Sequence, residues 1–208
     1  MTTATFSMNI ITIEQEANKK MLTSVAKPVQ FPLTQEDWQL VNAMKEKLFA
    51  LEGVGLAAPQ INQSKQIIAI YIPLNAALLR KEKVISYPLH VLFNPKYEPI
   101  DESEKTVDFE SCYSVSSKSG KVPRYRKIKL TYFDEAGIQH ETIEEGFYAR
   151  VLQHEIDHLN GTLITNRLTP DCIQGPIEEM MSLRRSELSK EQQKLFDELL
   201  RKKQLKKD

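Results

Sequence analysis

The residues best suited to chemistry lie together in the segment His154-Glu-Ile-Asp-His158. Spacing of i and i+4 places both imidazoles on one face of a helix, where they can bind the same metal ion. Glu155 follows the first histidine, so its carboxylate can reach a water molecule at that ion and accept its proton. A surface helix with two histidines and acidic neighbours is the alternative. The spacing favours a hydrolytic metal site.

Two histidines leave such a site one ligand short, because a catalytic metal usually has three protein ligands and one open position. Cys112 is the best candidate, since a cation stabilises the thiolate that binds it. A free cysteine can also be simply a small buried apolar residue. Cys172 is closer in sequence and is the other possible ligand, whereas His90 and His140 are isolated and are interpreted as structural or exposed.

A third candidate segment is Gly53-Val-Gly-Leu-Ala-Ala-Pro-Gln60. Its small residues leave the backbone open to the close approach of a substrate strand. The side-chain amide of Gln60 can donate to a developing oxyanion. A helix end with tight packing is the alternative. A dinucleotide site is excluded, because the glycine pattern is incomplete and follows a helix.

Secondary-structure signals group the strands between helices. Thr34 and Asp37 indicate a capping box that opens a helix. Strands are predicted at residues 67–72, 91–93, 128–132 and 139–143. A helix carrying His-Glu-x-x-His is predicted from about residue 146 to 159, and helix returns after Pro176. Grouped strands predict an α+β fold, with mainly antiparallel strands around that central helix and with a C-terminal helix. The predicted domains are a catalytic unit at 1–175 and a helical extension at 176–208.

Composition narrows the class of protein. The 208 residues include 28 basic and 28 acidic side chains, so the overall charge favours neither a membrane nor a DNA partner. No apolar run reaches membrane-spanning length. Glu14 and Glu16 argue against a transit peptide, and two cysteines exclude a disulfide framework. We therefore expect a cytoplasmic protein.

Three separated segments together resemble one family, the peptide deformylases. Residues 53–60 match its Gly-x-Gly-x-Ala-Ala-x-Gln motif in full, and residues 153–161 match Gln-His-Glu-x-Asp-His-Leu-x-Gly throughout. Its third motif, Glu-Gly-Cys-Leu-Ser, corresponds to Glu110-Ser-Cys-Tyr-Ser114, which departs at Ser111 and Tyr113. The motifs occur in the family's order, and the resemblance extends over about residues 10 to 170.

The resemblance implies a hydrolase that removes the formyl group from the N-terminal formyl-methionine of nascent proteins by means of a metal-activated water. It implies Fe²⁺, with Zn²⁺, Ni²⁺ or Co²⁺ able to occupy the same site. It also assigns roles. The metal ligands would be Cys112, His154 and His158, the catalytic groups Glu155, Gln60 and the backbone N–H of Tyr113, and the substrate-binding residues Gly53, Val54, Gly55, Leu56, Glu110 and Ser111.

The two departures beside Cys112 leave the backbone N–H in place, so the chemistry can survive, whereas efficiency and substrate preference can change. One alternative is a catalytically weakened binder of nascent N-termini, although such a binder would need neither Glu155 nor Gln60. Another is a metallopeptidase or other amidohydrolase. No suitable third ligand follows His158 at short distance, which argues against it.

Two further expectations concern charged residues. Glu52 and Arg124 are expected to pair, because family resemblance places an acidic residue before the first motif near an arginine after the second. The basic C-terminus, with Arg201 and Lys202 at its start, is either a solvated helix end or a contact with ribosomal RNA. Leu195 with Leu199, and Phe196 with Leu200, indicate an apolar face that packs on the domain or on a second copy.

Overall fold

The structure, a computed structural model, describes residues 9–80 and 84–205. Its strands form two antiparallel sheets. The five-stranded sheet has the order β1-β2-β3-β6-β7 and the three-stranded sheet the order β4-β5-β8. The strands are β1 (Gly55–Ala57), β2 (Ile67–Ile72), β3 (Tyr87–Pro99), β4 (Lys105–Cys112), β5 (Val115–Tyr125), β6 (Lys127–Phe133), β7 (Gln139–Glu145) and β8 (Gln174–Gly175).

Seven helices and one short 3-10 turn accompany the sheets in the described residues. The helices are α1 (Glu16–Leu22), α2 (Gln35–Leu51), α3 (Leu74–Leu78), α4 (Gly146–Leu159), α5 (Ile164–Arg167), α6 (Ile177–Ser186) and α7 (Lys190–Leu205), and the turn spans Ala58–Ile61. The mixed fold of helices and antiparallel sheet with C-terminal helix is therefore confirmed. None of these helices combines the length and hydrophobicity needed to span a bilayer.

The five-stranded sheet is covered on both faces by helices. Alternate residues of β2 point to opposite sides, so Ile68 and Ile70 pack with α4 while Ile67 and Ala69 pack with α2. This double coverage explains why residues 67–72 form a continuous apolar run rather than an alternating one. The sheet therefore supports α4, the helix that carries the two histidines.

Helix α2 begins as the sequence predicts. The Thr34 hydroxyl accepts a hydrogen bond from the Asp37 backbone N–H, and the Asp37 carboxylate accepts one from the Thr34 N–H, which completes a capping box. The helix ends at Leu51, and Glu52 follows in the left-handed region with φ of 50°. That reversal delivers the chain to Gly53 and β1, at the edge of the five-stranded sheet.

Strand β3 is longer than residues 91–93 because a bulge carries it past Asn94. Asn94 has φ of 48°, and the register against β6 shifts between Phe93 and Lys96. The Asn94 side chain stabilises this kink by accepting from the Val29 N–H at 2.7 Å and donating to the Val29 carbonyl at 2.9 Å. The long hairpin of β4 and β5 was not predicted from the sequence.

The C-terminal helices pack on the rest of the protein. Phe196 of α7 is buried with Leu79 and Leu188, and Leu195, Leu199 and Leu200 lie against the same cluster. The Gln192 side chain donates to the Leu78 carbonyl at 2.9 Å. The apolar face predicted for this segment therefore packs within the chain. Arg201 and Lys202 are exposed, and Lys206 and Lys207 of the basic tail lie outside the described residues.

Candidate metal centre and active site

Three potential metal ligands converge where α4 meets the β4–β5 hairpin. The ligand atoms of Cys112, His154 and His158 all lie within 4.8 Å of one another. The Cys112 Sγ and the His158 Nε2 are 3.2 Å apart. One turn of α4 separates the two histidines, as the i, i+4 spacing requires. Cys172 lies elsewhere, with its Sγ 3.4 Å from the Thr169 hydroxyl.

Cys112 is held at the end of β4, beside the tight turn of Tyr113 and Ser114. Cys112 pairs with Val115 across this turn, and the Ser114 N–H points at the sulfur from 3.4 Å. The Gln60 Nε2 approaches the same sulfur at 3.7 Å. The thiol is 5% exposed. Both nitrogens are donors, so their hydrogens face the sulfur.

The Glu110 carboxylate orients the first histidine. The His154 Nδ1 donates to the Glu110 Oε2 at 2.9 Å, which leaves the Nε2 for the convergent group. Burial opposes protonation of His154, yet its hydrogen bonds with Cys112 and Glu110 hold its pKa well above the usual value. Burial, together with the charges of His154 and Arg124, lowers the pKa of His158. A metal ion binds neutral imidazole, so both histidines would be neutral when an ion is bound.

A buried ion network supports Glu110 from behind. Arg124 makes a two-point contact with Glu110, at 3.0 Å through its Nε and 2.9 Å through its Nη2, and its Nη1 pairs with Asp157. Burial opposes ionisation of Glu110, but the Arg124 charge and the His154 hydrogen bond hold its pKa far below the usual range. The expected pairing of Arg124 with Glu52 is wrong, because α4 supplies the second carboxylate instead.

Two arginines that the sequence did not single out complete this network. The Arg150 Nη1 donates to the Glu110 Oε1 at 2.7 Å, and Arg167 binds Asp157 through two nitrogens, at 2.6 and 3.0 Å. Arg150 lies on α4 four residues before His154, so helical spacing is the one signal that places it on the same face. The network keeps the ligand-bearing helix and the hairpin in a fixed relation.

Glu155 is buried beside the convergent group with one oxygen uncommitted. Its side chain is 4% exposed, and its Oε2 has no hydrogen-bond partner within the described residues. Burial raises the pKa of Glu155 to about 7, although the nearby His154 charge acts in the opposite direction. An unpartnered buried carboxylate is unusual. At neutral pH this group can therefore both accept and release a proton.

Gln60 is oriented by its own backbone. Its Oε1 accepts a hydrogen bond from the Ala57 N–H at 2.8 Å, so its Nε2 faces the Cys112 sulfur. The amide is 1% exposed. The two ends of the amide are thus unambiguous, with the donor directed into the site.

Three of the predicted substrate-binding residues line the edge of the sheet. Gly55 and Leu56 belong to β1, which pairs with β2 on one side, and the Val54 carbonyl accepts from the Tyr71 N–H at 3.0 Å. A Cβ built on Gly55 would lie 2.3 Å from the Glu155 Oε1. Gly55 therefore makes room for the protein's own carboxylate. Ser111 is exposed on β4.

The Tyr113 side chain crosses from the hairpin to the end of α2. Its hydroxyl donates to the Leu51 carbonyl at 3.1 Å, and its ring lies against Gly53. The residue as a whole is 37% exposed, but partial burial of its phenol raises the pKa of Tyr113 to about 12, and the Glu155 and Glu52 charges add to the effect. The phenol therefore stays a neutral donor across the physiological range.

The N-terminal segment also reaches the site, which no motif indicates. The Ile11 N–H donates to the Gln60 carbonyl and the Ile13 N–H to the Ser114 carbonyl, each at 2.9 Å. The Glu14 carboxylate accepts from the N–H groups of Ser116 and Ser117 at 2.8 and 2.9 Å. Partial burial opposes ionisation of Glu14, but these bonds lower its pKa to about 2. Contacts more than 100 residues apart in sequence have no local signal.

Comparison with known proteins points to one family. The family model described as polypeptide deformylase matches residues 9–173. Among curated relatives, "Peptide deformylase 2" of Rickettsia conorii is 36% identical over 188 residues, which cover 89% of this chain and 92% of that protein. "Peptide deformylase 2" of Ralstonia nicotianae is 40% identical over 147 residues, covering 71% of this chain and 81% of that one.

Solved structures agree. The peptide deformylase from Ehrlichia chaffeensis superposes with a TM-score of 0.66 at 30% identity, covering 78% of this chain and 88% of that one. The Met-Ala-Ser-bound class I type b peptide deformylase from Acinetobacter baumannii gives 0.65 at 31% identity, covering 77% and 97%. By its sequence motifs, its family match and its structural neighbours, the chain belongs to the peptide deformylase family.

Proposed function

We propose that the protein removes the N-terminal formyl group from formyl-methionyl nascent peptides by hydrolysis, and that Cys112, His154 and His158 hold the metal it requires. The observation that carries this proposal is the convergence of these three groups beside the buried carboxylate of Glu155 and the directed amide of Gln60. This set provides ligands, a proton acceptor and an oxyanion donor in one place.

The donor set suits a divalent transition metal. One thiolate and two imidazoles favour iron or zinc over magnesium or calcium, which prefer oxygen. Three ligands leave a coordination position open. We take Fe²⁺ as the native ion from the family resemblance, and Zn²⁺, Ni²⁺ and Co²⁺ fit the same donors. When bound, the ion supplies Lewis acidity toward a carbonyl oxygen and a water molecule.

The chain's own groups divide the remaining work. The Gln60 Nε2 and the Tyr113 backbone N–H would donate to the formyl oxygen as negative charge develops on it. Glu155 would take the proton from the attacking water and deliver it to the leaving amine, so formate and a free N-terminus result. The pKa of Glu155, raised by burial to about 7, suits a group that alternates between both states.

The substrate would lie along β1. Edge strands present backbone groups that can pair with an extended peptide. Gly53, Val54, Gly55 and Leu56 would bind it on one side and Ser111 on the other. The Glu110 carboxylate is engaged with His154, Arg124 and Arg150, so its part would be to orient His154. The related Acinetobacter baumannii enzyme was solved with Met-Ala-Ser bound, a peptide that begins with methionine.

Retention of the catalytic groups favours an enzyme over a weakened binder. A buried carboxylate with an unpartnered oxygen lowers the stability of the fold. A catalytic proton acceptor justifies that cost, whereas a binder has no use for such a group. A metallopeptidase is disfavoured, since the third convergent ligand is a cysteine from a distant hairpin.

The remaining assignments follow from this function. We take α4 as the central scaffold, residues 1–175 as the catalytic domain and 176–208 as a helical extension; the family match ends at residue 173. The substrate places the reaction in the cytoplasm, where nascent chains emerge. If the basic C-terminus contacts the ribosome, deletion of residues 201–208 should lower co-sedimentation of the protein with ribosomes at low salt. Formate release from a short peptide should be unchanged by the same deletion.

A formate-release assay on a formyl-methionyl peptide, with protein purified without oxygen, tests the proposal. Cys112→Ser should lose both metal and activity, and the matched control Cys172→Ser should keep both. Glu155→Gln keeps the size of the side chain but cannot take the proton, so turnover should fall about 10²–10⁴-fold while metal content is unchanged. Release of formate by Glu155→Gln at the wild-type rate would contradict the assigned role.

A further inference from the structure

The Tyr113 side chain connects the β4–β5 hairpin of the three-stranded sheet to the end of α2, which leads into β1 of the five-stranded sheet. Tyr113 occupies the tip of the β4–β5 hairpin of the three-stranded sheet. Its hydroxyl binds the carbonyl of Leu51, the last residue of α2, at 3.1 Å. That carbonyl belongs to the helix end, where backbone acceptors lack helical partners. The ring therefore lies across the space between the hairpin and the segment that leads into β1.

Gly53 leaves the space that this ring occupies, because it has no side chain. A Cβ built on Gly53 would lie 2.9 Å from the Tyr113 hydroxyl oxygen and 3.1 Å from a ring carbon. Gly53 is not among the residues with positive φ, so the backbone itself would accept a side chain. The Leu48 Cδ1 would lie 3.2 Å from the same Cβ, so the absence of a Cβ here makes room for Tyr113 first and for Leu48 as well.

The Tyr113 ring lies to one side of the candidate catalytic groups, toward the start of β1. The candidate catalytic groups lie toward the C-terminal end of β1. The Glu155 carboxylate lies beside Gly55, and Gln60, which follows β1, approaches Cys112. After Ala57 the chain turns into the 3-10 helix, so the extended edge lies on the Gly53 side. A peptide with its formyl end at Gln60 would run antiparallel to β1 and advance about 3.3 Å per residue. It would reach the ring near its second or third residue.

We infer that the Tyr113 side chain determines specificity for the peptide positions that follow the formylated residue. In the structure the ring lies beside Gly53, across the path that this peptide would take along β1. A longer peptide displaces the ring and breaks the hydrogen bond to Leu51, whereas a short one does not reach it. This inference rests on the proposed function, and it assigns the side chain a task separate from that of the backbone N–H of the same residue.

The first test compares substrates of different length. For each variant, kcat/KM is measured for formyl-methionine amide, which ends before the ring, and for a formyl-Met-Ala peptide extended by two residues, and the ratio of long to short is taken. Tyr113→Phe removes the hydrogen bond but keeps the ring, and a net hydrogen bond of about 0.5–1.5 kcal/mol corresponds to a rise of about two- to tenfold in this ratio. Tyr113→Leu should raise it at least as much.

Tyr132→Phe is the matched control, because Tyr132 stacks on His140 away from the site, and its ratio should match that of the wild type. Unchanged ratios in both Tyr113 variants, with formate release intact, would overturn the inference while leaving the proposed function standing. Absence of formate release from both substrates by the metal-loaded wild type would refute the proposed function, and this inference with it.

The second test needs no substrate. Gly53→Ala should lower the thermal unfolding midpoint in the wild-type background, since the new methyl group meets the ring. In a Tyr113→Ala background the same substitution should lower it less, because only the 3.2 Å contact with the Leu48 Cδ1 remains. Gly175→Ala is the control, because a Cβ built there has its nearest neighbour at 3.4 Å. Equal losses from Gly53→Ala in both backgrounds would show that the ring does not occupy this space.

Discussion

A methyl group at position 55 would disturb the chemistry without touching any metal ligand. A Cβ built on Gly55 lies 2.3 Å from the Glu155 Oε1 and 2.7 Å from its Cδ and Cγ. Ordinary contact begins near 3.4 Å, so the carboxylate in Gly55→Ala must retreat by about 1 Å. Glu155 is 4% exposed, so its carboxylate would have to shift within the protein interior.

The expected loss follows from this displacement. A misplacement of about 1 Å can cost about 10²-fold in rate, which is about 2.7 kcal/mol of transition-state stabilisation. Overpacking of a buried site adds a destabilisation of about 1–3 kcal/mol. Gly55→Ala should therefore show kcat/KM for formate release reduced at least 100-fold and a lower unfolding midpoint, with metal content equal to that of the wild type.

Two controls separate this effect from a general loss of fold. Gly175→Ala, whose added Cβ meets no atom closer than 3.4 Å, should match the wild type in both measurements. Combining Gly55→Ala with Glu155→Asp shortens the carboxylate and should recover the lost unfolding midpoint, though not the activity. Activity of Gly55→Ala within a few-fold of the wild type would refute the idea that Gly55 exists to accommodate Glu155.

Three further outcomes are expected. Arg124→Met leaves the buried carboxylates of Glu110 and Asp157 with one arginine partner each and should destabilise the protein by up to about 3–5 kcal/mol in denaturant unfolding; a loss below 1 kcal/mol would contradict the network. The pKa of Glu14 falls from the ordinary 4.5 to about 2 on folding, so its contribution is complete above pH 4.5 and is lost as pH falls through 2. The wild type should therefore exceed Glu14→Gln in unfolding midpoint at pH 6, and the gap should shrink toward pH 2; a constant gap would exclude this linkage. If the native ion is Fe²⁺, activity should decay faster in air than without oxygen, because ion and thiolate are both oxidisable; equal half-lives would argue for another metal.

Local sequence signals were sufficient where a segment's structure depends on its own neighbours. The bounds of α4, the capping box of Thr34 and the convergence of Cys112 with the two histidines all follow from short-range spacing or from a motif. In each case the information lies within a few residues of the feature, or in a motif that the family shares.

Long-range partners could not be predicted in the same way. Arg124 finds Asp157 on α4 rather than Glu52, because the packing of the hairpin on the helix decides which carboxylate is adjacent. The β4–β5 hairpin carries polar residues at 116–120, which lack the alternation expected of a strand. Glu14 meets Ser116 and Ser117 about a hundred positions away, where no periodicity can reach.

The anchoring of residues 11–14 at the candidate active site affects when that site can form during synthesis. These residues bind Gln60, Ser114 and the backbone after it, and the histidines that complete the centre lie still later in the chain. Contacts between such distant positions form slowly, because loop closure must precede them. During synthesis, the segment made early must wait for α4 to leave the ribosome before the site can close. The candidate active site therefore cannot be complete until α4 has left the ribosome.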